Sequence, residues 1–140
     1  MRRRRLVALG AAVALGALAI ACEDARTRPL VLVDGAGPGS ASWVDERARA
    51  FEKQSGRAVR VLRVEGAEPA LALAARGEAE VAIVPAAAPI DDLVKNDQGR
   101  DAGTVARAGG AVRVVEVNQA RLPKVDGTGA KALAAFLVAP

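Results

Sequence analysis

Histidine and tyrosine are absent from this chain, and cysteine and tryptophan occur once each. Without histidine there is no imidazole to serve as a base near neutral pH or as a metal ligand. A single cysteine, Cys22, cannot close an internal disulfide. Trp43, Phe51 and Phe136 are the only aromatic side chains, too few to stack on bases. Ser40 and Ser42 have no histidine to activate them as nucleophiles. The chain is therefore read as a non-enzyme that needs no cofactor and binds no nucleic acid. The acidic pairs Glu78/Glu80 and Asp91/Asp92 have the residue types for acid–base work or a hard cation. They are read here as solvated loop charges.

An excess of positive charge is also lacking once its source is located. The 20 lysines and arginines exceed the 16 aspartates and glutamates by four. Arg2, Arg3, Arg4 and Arg5 account for that difference, and the rest of the chain balances. These arginines precede the apolar run LVALGAAVALGALAIA, which ends in small residues just before Cys22. A basic stretch, an apolar stretch and small residues make an export signal. The run is shorter than the ~20 residues of a comfortable membrane span. Because the sole cysteine follows AIA, residues 1–21 are read as a lipoprotein signal. Cys22 is then the lipidated residue, tied to a membrane by buried acyl methylenes. Residues 22–29 read as a polar tether, and residues 30–140 as one domain.

Within that domain, LVLV (Leu30 to Val33) reads as a strand buried on both faces. A glycine loop follows. Ser42 and Asp45 make an S-x-x-D capping box, and Val44, Ala48 and Phe51 share a helical face. Gly56 suits the left-handed residue after a helix. AVRVLRV (Ala58 to Val64) reads as a second strand. Pro69 fits the first turn of a second helix that ends at Gly77, with Leu71, Leu73 and Ala74 as its packing residues. VAIVP (Val81 to Pro85) is a third strand. A short helix is expected near Ile90 to Val94, then a polar loop, then a fourth strand over Ala111 to Val117. Ala130, Leu133, Ala134 and Leu137 define a last helix, capped by Asp126 or Thr128. Alternating strands and helices imply parallel pairing with right-handed crossovers. The expectation is an α/β three-layer single lobe: a mainly parallel sheet of about four strands with helices on both faces.

The loop after the first strand, DGAGPGSAS, has glycines at 35, 37 and 39. This spacing fits neither G-x-G-x-x-G nor a P-loop. Two readings stand. The loop could present amide N–H groups and a helix N-terminus to an anion. It could equally be a tight turn whose glycines allow close backbone packing. Asp45 and Glu46 favour the turn, since carboxylates in the first helical turn repel a guest anion.

Two stretches carry a resemblance. WVDERARAFEKQSGRAVRVLRVEGAEPALALAARGEAEVAIVPA contains AFEKQSG, GAEPAL and GEAEV; VEVNQARLPKVDGTGAKALAAFLVAP contains Val117, Asn118, Pro123, Lys124 and Val125 in register. Together they resemble the substrate-binding lipoproteins of tungstate-type ABC transporters, within the type II periplasmic binding proteins. The resemblance implies a protein outside the cytoplasmic membrane that binds a tungstate- or molybdate-like oxyanion and meets an ABC permease. It puts the anion at the loops after the first two strands, on the backbones of Gly35, Gly37, Gly39 and Gly66, with Ser40 and Ser42 as helpers. Relatives hold hydroxyl residues where this chain has Asp34, Gly35, Ala36 and Gly37, and Glu68 replaces a glycine. Each lost hydroxyl contact forfeits about 1.5–3 kcal/mol. The relatives' second lobe would lie between the two stretches, where only a short segment stands here. The expected function is thus a reduced, weakened oxyanion-binding lipoprotein. The rival is a structural or interaction lipoprotein without a small-molecule ligand.

Overall fold

The computed structural model describes residues 27–140. The segment read as a signal peptide, most of the segment read as a tether, and Cys22 lie outside the described residues. Five strands and four helices follow in the order β1 (Leu30–Asp34), α1 (Ala41–Ser55), β2 (Val59–Arg63), α2 (Ala67–Ala75), β3 (Val81–Pro85), α3 (Asp91–Lys95), β4 (Gly99–Val105), β5 (Val112–Val117) and α4 (Gly127–Val138). A 3-10 turn, Pro38–Ser40, runs directly into α1. No helix among the described residues is long and apolar enough to cross a membrane.

One sheet holds all five strands in the order β2-β1-β3-β5-β4. β1 pairs in parallel with β2 and β3, whereas β5 is antiparallel to both β3 and β4. The sheet is therefore mixed, with five strands where four mainly parallel ones were expected. The additional strand, β4, occupies the segment read as a polar loop. Its sequence GRDAGTV has little apolar alternation, only Gly99 is buried, and its register slips between Asp101 and Gly103. Pairing with β5 makes it a strand, and no local pattern announces that.

Two apolar layers flank the sheet. Alternation along β1 sends Leu30 and Leu32 to one side and Val33 to the other. Leu30 and Leu32 join Val44, Ala48 and Phe51 of α1 and Leu133, Ala134 and Leu137 of α4. Val33 joins Ala70 and Ala74 of α2 and Leu93 of α3. The expected packing set of α2 changes as a result. Small Ala70 and Ala74 face the sheet, while Leu71 and Leu73 are only partly buried. α1 ends as expected, with Gly56 at φ 73° and its amide donating to Glu52. It begins two residues earlier than expected: Ser40 is the N-cap residue and makes no side-chain cap bond. Ser42 therefore lies inside the first turn, and Asp45 pairs with Arg63 of β2 at 2.6 Å.

The amino-terminal end of the sheet is closed by a polar network. Glu80 is 1% exposed, contrary to its reading as a solvated charge. Its carboxylate meets the Arg28 guanidinium and accepts the Val31 amide at 2.7 Å. Glu78 keeps the expected character, exposed and paired with Arg76. Asp126 caps α4 by accepting from the Gly129 amide at 3.1 Å, and pairs with Arg57 at 2.7 Å.

Burial pushes the Asp126 carboxyl upward, but the Arg57 hydrogen bond and charge, with the Gly129 and Thr128 amides, outweigh it. The result lies below the ordinary 3.8. A depressed folded-state value stabilises the fold above the unfolded value. That contribution disappears as pH falls from about 5 through the lowered folded value. Asp126→Asn keeps a good cap residue but loses the ion pair. It is expected to cost about 1.5 kcal/mol at pH 7, and urea unfolding from pH 7 to pH 3 should show a shallower pH dependence than the parent.

Candidate functional site

The strand order sets where a ligand could meet this fold. β1 sends its connection to β2 on one side, while β3 lies on its other side. Crevices for ligands open at such switch points, beyond the carboxyl ends of strands. The loop after β1 and the turn after β2 meet there. A Cβ added to Gly35 would lie 2.4 Å from the Gly66 carbonyl oxygen and 2.7 Å from the Ala70 Cβ. The two backbones therefore touch, and glycine at position 35 permits it.

Asp34 determines what the loop can do. Strand alternation directs it to the α1 side, where it is buried at 3% exposure. It accepts the Ala36 amide at 3.1 Å. The Ser40 hydroxyl, 1% exposed, lies 3.0 and 3.2 Å from the two Asp34 oxygens and 2.7 Å from the Gly37 carbonyl. All three neighbours are acceptors, so its single proton is already claimed. The nearest guanidinium to Asp34, that of Arg63, is 4.0 Å away and is shared with Asp45 and the Ala41 carbonyl.

The six expected anion contacts divide on this geometry. The Gly35 amide donates to Ile83 at 2.8 Å, and the Gly66 amide donates to Val64 at 3.2 Å. Ser40 is committed to Asp34 and Gly37. Gly39 is exposed, and its carbonyl accepts from Arg107 at 2.9 Å. The Ser42 hydroxyl and the Gly37 and Gly39 amides remain as donors not engaged within the described residues. Gly39 and Ser42 are exposed, and Gly37 is half-buried.

Two arginines missed at the sequence level stand beside them. Arg107, in the β4–β5 loop, covers Trp43 with its guanidinium 5.2 Å from the ring centroid and holds the Gly39 carbonyl. Arg63, on edge strand β2, braces Asp45 and the start of α1. The signal for Arg63 was its place among valines, which marked an outward position but not its partner. Nothing in the β4–β5 loop sequence connects Arg107 to a loop 68 residues away.

Among the described residues no group of three His, Cys, Asp or Glu side chains could hold a metal ion. No family model matches the chain, and neither a curated protein nor a solved structure matches it.

Proposed function

We propose that this chain is a solute-binding-type lobe working outside the cytoplasmic membrane, lipid-anchored through Cys22 and related to oxyanion uptake with a weakened site. It acts by binding, without catalysis, and its partners are a tungstate- or molybdate-like anion and an ABC permease. The observation that carries this reading is the meeting of the Gly35 loop and the Gly66 turn at the β1/β3 switch point. An anion there draws on the Gly37 and Gly39 amides and the Ser42 hydroxyl, with the Arg107 guanidinium at the Gly39 carbonyl. Asp34 opposes it: a unit charge about 6 Å from an anion costs about 3 kcal/mol at an effective dielectric of ~20. Affinity is accordingly modest.

Calorimetry with tungstate, molybdate and sulfate tests the reading. The expected dissociation constant for the best anion is about 0.1–1 mM, weakened at least tenfold by Ser42→Ala. No heat and no melting shift at about 10 mM anion would overturn it. That outcome favours the second reading, an interaction module without a small ligand. One observation already leans that way: the Ser40 hydroxyl and the Gly35 and Gly66 amides are satisfied internally, as a self-contained turn requires.

A further inference from the structure

The face of the sheet covered by α2 and α3 carries an apolar groove that oxyanion binding does not use. Its volume is about 470 Å³, within the ~300–1,000 Å³ of clefts that hold ligand groups. The helical repeat of α2 builds one wall. Ala70 and Ala74 face the sheet, and the neighbouring stripe of Ala67, Leu71 and Ala75, at i, i+4 and i+8, lines the groove. Ile90 and Leu93 form the opposite wall. A nine-residue helix is about 13 Å long, room for two turns of a docked helix.

The rim is charged in one sense. Glu68 and Asp92 line the groove and are exposed, and Asp91 adjoins them. None of the three makes an ion pair among the described residues. Seven carboxylates elsewhere, Asp45, Glu78, Glu80, Asp97, Asp101, Glu116 and Asp126, take arginine partners. Glu46, Glu52 and Glu65 make no ion pair among the described residues but do not line this groove. An aliphatic trough edged by unneutralised carboxylates complements aliphatic side chains flanked by cations.

We propose that the α2–α3 groove docks an amphipathic helix of a partner protein, one that presents leucine-like anchors at helical spacing beside lysine or arginine. The anchors fill the space between Leu71 and Ile90, and the cations reach Glu68 and Asp92. Both sites border α2, but the groove lining includes none of the residues assigned to the oxyanion site.

The test uses the purified full chain and a dye-labelled helical peptide of leucine and lysine, with a leucine–glutamate twin for comparison. Fluorescence anisotropy should give the lysine peptide a dissociation constant of ~10–100 µM, and the twin should bind at least about tenfold more weakly. The double variant Glu68→Gln/Asp92→Asn changes only exposed side chains. It should weaken the lysine peptide about fivefold, as should raising salt from ~0.05 to ~0.5 M. Amide shift changes on binding should centre on residues 67–75 and 89–98. Equal affinity for both peptides overturns the proposal, as does unchanged affinity in the natively folded double variant or shifts centred elsewhere. Light scattering that shows a dimer abolished by Leu71→Asn assigns the groove to a second copy of the chain and equally overturns it.

Discussion

Gly35→Val is expected to destabilise the fold by about 3 kcal/mol or more, at the upper end of what overpacking costs. The added Cβ alone would meet the Gly66 carbonyl oxygen at 2.4 Å and the Ala70 Cβ at 2.7 Å. Neither neighbour is the free end of a flexible side chain. One is backbone, and the other is fixed on a helix whose inner face is fully buried. Relief requires α2 to move away from the sheet. That movement also breaks the bond from the Gly35 amide to Ile83, which links β1 to β3 at the carboxyl edge. Gly39→Ala is the matched control. Nothing lies within 4 Å of its added Cβ, so its effect should stay within about 0.5 kcal/mol. Urea unfolding of the two variants separates a glycine required by close approach from one that merely occupies a loop. Equal midpoints would mean that the loop and the turn do not touch.

This contrast shows what the sequence made legible. Glycines at 35, 37 and 39 look alike in the chain, yet only one is needed for packing, because its neighbour arrives from 31 residues away. Local patterns were readable wherever the partner is close in sequence. Val44, Ala48 and Phe51 marked the buried face of α1, Gly56 its end, and Asp126 the start of α4. Strands β1 and β3 announced themselves because both their faces are buried. What failed depended on distant partners. β4 is a strand because β5 lies beside it, and no residue of β5 states its own direction. The S-x-x-D pattern at Ser42 was a real capping signature with a different use: the 3-10 turn had already started the helix, and Asp45 had a guanidinium on β2 within reach. The candidate site suffered in the same way. The loop residues do follow β1 and β2, but the acceptors that their amides and hydroxyl meet, Ile83, Val64 and Asp34, could not be assigned without the fold.

Glu80 gives the largest electrostatic expectation. Glu80→Gln should cost about 3 kcal/mol, in the range for removing one member of a buried, hydrogen-bonded charge pair. Its two oxygens face donors on different sides. One meets the Arg28 guanidinium and lies 3.4 Å from the Asp126 amide, and the other accepts the Val31 amide. An isosteric carboxamide has one oxygen and one NH₂ group. Whichever way it turns, a donor confronts a donor. The loss spreads because the same residues bind one another: Arg57 holds both the Arg28 carbonyl and Asp126. Glu80→Gln and Asp126→Asn together should therefore cost measurably less than the sum of the two single changes. Arg28→Leu with Glu80→Leu should recover part of the single-variant loss, since removing both charges leaves no buried ion unpaired. Recovery stays incomplete because the Val31 amide still lacks its acceptor. A Glu80→Gln cost below about 1 kcal/mol in urea unfolding would mean that water reaches this carboxylate and that the network is not closed. The closed network fits its position. It ties the segment at Arg28 to β1, β3 and the cap of α4, at the end of the sheet opposite the loops after β1 and β2, so the two ends of the sheet are held by separate sets of contacts.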